Sequence, residues 1–300
     1  MLNSYHSIEE AVRECFGNHV TVNVSLDRFG GDINEAKVLI LSNGERVFLK
    51  SNTIKNRAFF DAGEEGLTAI ASTKTIATPK LICKGIDEQK SISFLMMEVI
   101  EGGGIKSSAY RTMGYEFAAL HQAETKDFVS GGRYGFMHDN YIGASVQINT
   151  PRENWIDFFR ECRLEVQIRM AERILDNGTL KSALKLLDSF DYYLIEPEKP
   201  SLLHGDMWGG NYMFNSAGKA VLIDPAAYVG CAEADLAMTE MFRPMPMEFY
   251  EAYYEKNLVM DGYEDRKELY NLYHWLNHLN LFGGGYYDSV VRTIRHYKSL

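Results

Sequence analysis

Between Ser201 and Pro225 the chain reads SLLHGDMWGGNYMFNSAGKAVLIDP. Asp206 is followed by Asn211 five residues on, and by Asp224 eighteen residues on. These side chains suit phosphoryl transfer. A transferring phosphoryl group spreads negative charge over its equatorial oxygens, so it needs a hard cation and a positioned acceptor hydroxyl. Mg²⁺ takes oxygen ligands in an octahedron, and one carboxylate with one amide oxygen holds it without trapping it. A separate carboxylate must face the hydroxyl, orient it and accept its proton. Asp206 is the candidate base; Asn211 and Asp224 are the candidate metal ligands. The runs YMF and AVLI about the turn NSAG predict a hairpin that returns Asp224 to the loop of Asp206. His204 is expected to pack in support of that loop.

Such chemistry also requires an ATP site upstream. Gly30 and Gly31 in FGGDINEA let backbone amides approach phosphates. Lys50 ends the alternating strand VFLK, the place for a lysine that pairs with nucleotide phosphates. Glu64 and Glu65 in FFDAGEEGL are candidates to hold it. In FLMMEVIEG, Met97 is placed near the adenine, and backbone groups from Glu98 to Ile100 are placed at its edge. Each feature alone has a plainer reading: a hairpin turn, a solvated lysine, a solvated helix face, a core strand. Their order ahead of the Asp206 segment is what favours the functional one.

The elements that must position these groups follow from periodicity. VTVNVSL and AKVLILSNGERVFLK alternate as strands, the second folding at Asn43-Gly44. FFDAGEEGLTAIAS reads as helix and SISFLMMEVI as a buried strand. After Gly104 the pattern is helical: Met113, Phe117 and Leu120 share one face, as do Trp155, Phe159, Cys162, Val166, Met170 and Ile174. The expected fold class is α+β and two-lobed: a β-rich lobe over residues 1–100, a helical lobe over 101–300, and a glycine-relaxed hinge at 98–104. A chain of 300 residues with 46% apolar and 24% charged residues is globular. Its net charge of −10 argues against a nucleic-acid partner. Four scattered cysteines, no signal-peptide pattern and no apolar run of 18 residues predict a cytoplasmic protein with free thiols and no membrane segment.

Longer motifs carry a more specific likeness. LLHGDMWGGNYMF, VLIDPAAYVGCAEADLAMTEMF, GFMHDNYIGASVQINTPRENWIDFFRECRL and LYHWLNHLNLFGGGY together resemble the fructosamine kinase, or ketosamine-3-kinase, family. The resemblance covers nearly the whole chain and implies a two-lobed, protein-kinase-like phosphotransferase fold. It implies transfer of the ATP γ-phosphate to the sugar 3-hydroxyl of fructosamines or ribulosamines, on free amines or protein lysines, with Mg²⁺ as cofactor and a link to deglycation. By position it gives Asp206 the catalytic role, Asn211 and Asp224 the metal, Lys50 the ATP, and Asp235 a bracing role under the catalytic loop. Trp208, with Asn140 and Tyr141 of DNYIG, is a candidate wall for the sugar; His278 and Tyr286 are the polar tips of a second. The family pattern F-x-x-E meets Gly63 here, so the resemblance implies either that Glu64 reaches Lys50 or that the usual ion pair is weakened. Other readings on the same fold are a kinase of aminoglycosides or choline-like alcohols, and a catalytically silent nucleotide-binding protein.

Overall fold

The computed structural model describes residues 2–28, 34–104, 107–256 and 258–298. Gly30 and Gly31 lie outside the described residues. The alternating segments form β1 (Ser4–Tyr5), β2 (Val22–Arg28), β3 (Glu35–Leu41), β4 (Arg46–Thr53), β5 (Leu81–Asp87) and β6 (Ile92–Glu98). They make one sheet in the order β1-β5-β6-β4-β3-β2, antiparallel except where β1 lies parallel to β5. The Asn43-Gly44 turn closes β3 onto β4, with Gly44 at φ +87°, open to glycine and costly to most side chains.

Helix α1 (Ile8–Phe16) covers one face of this sheet, burying Ile8, Ala11 and Val12 against Leu49, Cys83 and Met96. Helix α2 (Arg57–Ser72) covers the other, with Phe60 on Leu95 and Met97. Register decides which β4 side chains face α2. Phe48 pairs with Met97 and Lys50 with Leu95, so the period of two sets Lys50 and Met97 on the same face.

The rest is mainly helical. Its elements are α3 (Ser107–His121), β7 (Asn140–Ile142), β8 (Ser145–Gln147), α4 (Trp155–Phe159), α5 (Glu165–Met170), α6 (Asn177–Asp188), β9 (Ser201–Leu203), β10 (Tyr212–Phe214), β11 (Ala220–Leu222), β12 (Tyr228–Gly230), α7 (Ala232–Met241), α8 (Met247–Tyr254), α9 (Tyr263–Phe282) and α10 (Tyr287–Lys298). The face expected from Trp155 to Ile174 holds only as far as Cys162. A π-helical turn over Arg160–Leu164 separates α4 from α5 and inserts extra backbone into the spiral. Beyond it the buried set becomes Leu164, Ile168, Ala171 and Leu175, and Met170 and Ile174 are exposed.

The two parts are tied by backbone as well as by side chains. Leu222 N donates to Ala77 O at 2.8 Å, and Gly102 bridges to Asn215. Gly103 differs from the relaxed hinge expected of it. A Cβ there would stand 2.6 Å from Asn215 O, so the glycine admits a close backbone approach. All four cysteines are free. Among the described residues no helix is long and apolar enough to cross a membrane.

Candidate active site

The predicted hairpin forms. β10 and β11 pair antiparallel with Tyr212 opposite Leu222, and Ile223 N donates to Asn211 O at 2.9 Å. That pairing brings Asp224 back beside Asn211, which accounts for the eighteen-residue spacing. Asn211 Nδ2 donates to Asp206 Oδ2 at 2.8 Å and to Asp206 O at 2.7 Å. With its nitrogen spent this way, Oδ1 is the amide atom that could take a cation. Asp206, Asn211, Asp224 and Lys50 line one cavity of about 800 Å³.

Electrostatics follow from this packing. Burial pushes the Asp206 carboxyl up to about 7, and the charges of Asp224 and Asp235 add to the rise while Asn211 opposes it. His204 is fully buried and bridges the two loops: Nδ1 accepts Asp206 N–H at 3.3 Å, and Nε2 donates to Ile223 O at 3.0 Å. That pattern needs the neutral ring, and burial holds the His204 pKa below its usual value. Asp235, buried at the start of α7, accepts His204 N–H at 2.6 Å and Gly205 N–H at 2.8 Å. Its Oδ2 also pairs with His121 Nε2 at 3.2 Å, and His121 Nδ1 pairs with Tyr253 OH at 2.6 Å. His121 gave no sequence signal, because only tertiary packing brings the end of α3 to Asp235.

Gly205 has φ +80°, and a Cβ there would fall 2.0 Å from Ala226 O. Gly205→Ala combines a left-handed backbone with a backbone clash beside the candidate base. We expect a loss of about 2 kcal/mol or more in unfolding free energy and a fall in turnover beyond what partial unfolding explains, read from urea melts beside initial rates.

One expected pairing is replaced. Glu64 does not hold Lys50; its carboxylate takes Lys84 Nζ at 2.6 Å and Leu2 N–H at 2.8 Å. One residue along a helix is a rotation of about 100°, so Gly63 faces the cavity while Glu64 turns to β5. Glu65 accepts from His138 Nδ1 at 2.8 Å. The Lys50 ammonium is paired instead with the Asp224 carboxylate. A Cβ on Gly63 would meet nothing within 4 Å, so the helix face beside Lys50 is open.

Tyr141, Trp208, His278 and Tyr286 all line the cavity. Phe59 of α2 meets Tyr141 edge-on at 4.3 Å, joining the hairpin β7–β8 to the helix above Lys50. Asn140 borders the cavity, but its amide is committed: Nδ2 donates to Ala227 O at 2.7 Å, and Oδ1 accepts from Gln147 Nε2 at 2.7 Å. It fixes the wall rather than reaching across it. His278 Nδ1 donates to His274 O at 2.8 Å, and burial lowers its pKa, so the neutral ring offers Nε2 as an acceptor. Met97 is only 5% exposed and packs with Phe60 and Leu95. Glu98 gives its N–H to Lys80 O and its carboxylate to Lys80 N–H, each at 2.9 Å. Phe282, within the second candidate wall, also lines the cavity; Phe242 does too and was not anticipated, since nothing in a lone Phe at a helix end distinguishes a pocket wall from a core residue.

Comparisons with known proteins place the chain in a family. The family model described as fructosamine kinase matches residues 4–299. A Synechocystis protein named "probable ketoamine kinase" is 35% identical over 292 residues, covering 97% of this chain and 96% of that one. An Arabidopsis thaliana chloroplastic protein-ribulosamine 3-kinase is 36% identical over 273 residues, covering 89% of this chain and 80% of its own. A crystal structure from Thermobifida fusca, named "putative fructosamine-3-kinase", superposes with a TM-score of 0.83 at 28% identity, covering 99% of this chain and all of that one. A type I macrolide 2'-phosphotransferase shares the fold at 12% identity, with a TM-score of 0.62 and 96% of this chain covered. The motifs that gather around this one cleft are spread over the stretch that the family model matches, and the chain belongs to the fructosamine kinase family.

Proposed function

We propose that this protein transfers the γ-phosphate of ATP to the 3-hydroxyl of the sugar in ketosamines, the fructosamine or ribulosamine adducts of amines. The observation that carries the reading is the meeting of Asp206, Asn211 and Asp224 with Lys50 in one cavity, within a chain of this family. Asp206 accepts the proton of the attacking hydroxyl and aims its oxygen; Asn211 holds that carboxylate in place through Nδ2. Lys50 leaves Asp224 for the phosphates when nucleotide enters. Asn211 Oδ1 and the Asp224 carboxylate would hold Mg²⁺, which when bound offsets the charge of the transferring group. This set contains one carboxylate besides the base, in keeping with an ion that relies on phosphate and water for its other ligands. Among the described residues no cluster of three or more His, Cys, Asp or Glu forms a metal cage. The adenine edge falls to the Glu98 carbonyl and the Ile100 backbone, because the Glu98 N–H is taken.

Consumption of ATP in the presence of ribulose-lysine, fructose-lysine and kanamycin tests the reading, with NMR to locate the phosphate. Phosphorylation at the sugar 3-position of either ketoamine supports it; phosphate on kanamycin alone overturns it. Lys50→Met should raise the KM for ATP by roughly 10- to 100-fold, the loss of a charge-assisted hydrogen bond of about 1.5–3 kcal/mol. The KM for the ketoamine should change little, as separate titrations of the two substrates would show.

A further inference from the structure

Asp224 holds a backbone shape that most side chains avoid. Its φ is +54°; among the described residues the other non-glycine positions with positive φ, Lys74 and Ser91, lie in exposed turns. A side chain stays in the left-handed region only where its surroundings fix it. The segment from Asp224 to Ala227 is fixed on three sides. Ala226 N–H donates to His204 O at 2.9 Å, on the loop of Asp206. Helix α2 packs so close that a Cβ on Gly66 would stand 3.1 Å from Pro225. The third side is polar and comes from β7 and β8. Gln147 Nε2 donates to Ala226 O at 2.9 Å, and Asn140 Nδ2 donates to Ala227 O at 2.7 Å.

Gln147 is itself aimed by a residue far along the chain. It is 1% exposed; Nε2 gives its second hydrogen to Asn140 Oδ1, and Oε1 accepts Tyr273 O–H, each at 2.7 Å. The donors run one way, from Tyr273 through Gln147 and Asn140 to the carbonyls that follow Asp224. Turning the Gln147 amide over would set its oxygen against two acceptors. A buried polar chain with its donors and acceptors matched in this way holds one geometry. Tyr273 is buried within α9, where the Arg163 guanidinium lies 5.6 Å from its ring. Arg163 enters from the π turn and donates to Ile148 O at 2.5 Å and to Asn149 Oδ1 at 2.8 Å, just after Gln147. Turns of this kind recur near functional sites.

Resting on the assignment of Asp224 as a metal ligand above, we infer that Gln147 and Tyr273 are positioning residues for phosphoryl transfer. They lock the segment after Asp224, so that its carboxylate stays beside Asn211, ready for the cation. Neither is among the residues that line the cavity of Asp206, so they act on the cation through Asp224.

The experiment uses the whole protein with Tyr273→Phe and Gln147→Leu. Tyr273→Phe removes one oxygen and keeps the ring beside Arg163, so this variant folds. Electron paramagnetic resonance reads Mn²⁺ binding with ADP present and no sugar, and calorimetry reads ADP binding without metal. Tyr273→Phe should raise the Kd for Mn²⁺ roughly three- to tenfold, the scale of one lost hydrogen bond. Gln147→Leu should raise it about tenfold or more, because it orphans buried acceptors. Metal-free ADP affinity and the KM for the ketoamine should each change less than about twofold, as for sites that share no partner with the substitution. The Mg²⁺ concentration that gives half-maximal turnover should rise in the same order as the Mn²⁺ Kd. Wild-type Mn²⁺ affinity in both variants, or a fall in melting temperature alone, overturns the inference. Equal losses of Mn²⁺ and metal-free ADP affinity overturn it too, since they mark general loosening. Wild-type protein that binds no Mn²⁺ beside ADP removes Asp224 from the metal and the inference with it. No sugar enters the binding measurement, so a failure of the ketoamine reading in the phosphorylation assay is a separate result.

Discussion

Asp206→Asn is expected to lower kcat by about 10²-fold or more, the scale of a lost general base, while the KM for ATP and the melting temperature stay near those of wild type. The substitution is isosteric. Asparagine can still accept the Asn211 Nδ2 bond through Oδ1, so the 2.8 Å contact that orients the side chain survives. What it cannot do is take a proton from the acceptor hydroxyl. A loss confined to kcat, equal in kcat and kcat/KM, is the signature of an interaction made only in the transition state. Single-turnover rates with saturating Mg·ATP, alongside nucleotide binding by calorimetry, separate chemistry from affinity. Wild-type turnover in this variant would remove Asp206 from the role of base and leave it a structural partner of Asn211.

Asp235→Ala is expected to harm both fold and turnover, because Asp235 lies beneath the loop rather than in the cavity. The carboxylate satisfies the buried N–H groups of His204 and Gly205. Orphaning each costs about 1–3 kcal/mol, so the variant should lose roughly 3 kcal/mol or more. The pH dependence carries a sign. Burial by itself would raise the Asp235 carboxyl, but His121 and the backbone N–H bonds outweigh it and hold the group below the usual carboxylate range. A depressed pKa contributes stability that is present above the unfolded-state value of about 3.9 and is lost as pH falls through the folded-state value. Wild type should therefore weaken with acid more steeply than Asp235→Asn, as urea midpoints measured between neutral pH and the carboxylate range would show. A variant as stable as wild type, with its turnover intact, would mean the loop holds its shape without this brace.

The segment that carries the candidate base was legible because its constraints are local. Asp206, Asn211 and Asp224 belong to one loop and the hairpin that follows it, so the spacing of acids about a turn signal specifies the geometry. The strands about Asn43-Gly44 were legible for the same reason. The partner of Lys50 was not. Whether Gly63, Glu64 or Glu65 faces the cavity depends on how α2 is rotated against the sheet, and a single step around a helix redirects the side chain altogether. The π turn at Arg160–Leu164 escaped notice likewise, since its extra residue is stabilised by tertiary packing and leaves the hydrophobic letters unchanged.

By itself, then, the sequence determined the reaction class, the hairpin that returns Asp224 to the loop of Asp206 and Asn211, and the strand that carries Lys50, because hydrogen-bonded turns and period-two strands act over a few residues. Only the tertiary structure decided that Lys50 rests on Asp224, that His121 braces Asp235, and that Phe242 and Phe282 extend the cavity. Those relations join residues far apart in the chain, and they are set by how helices and sheet pack, where the free energy resides in shape and burial that no local pattern records.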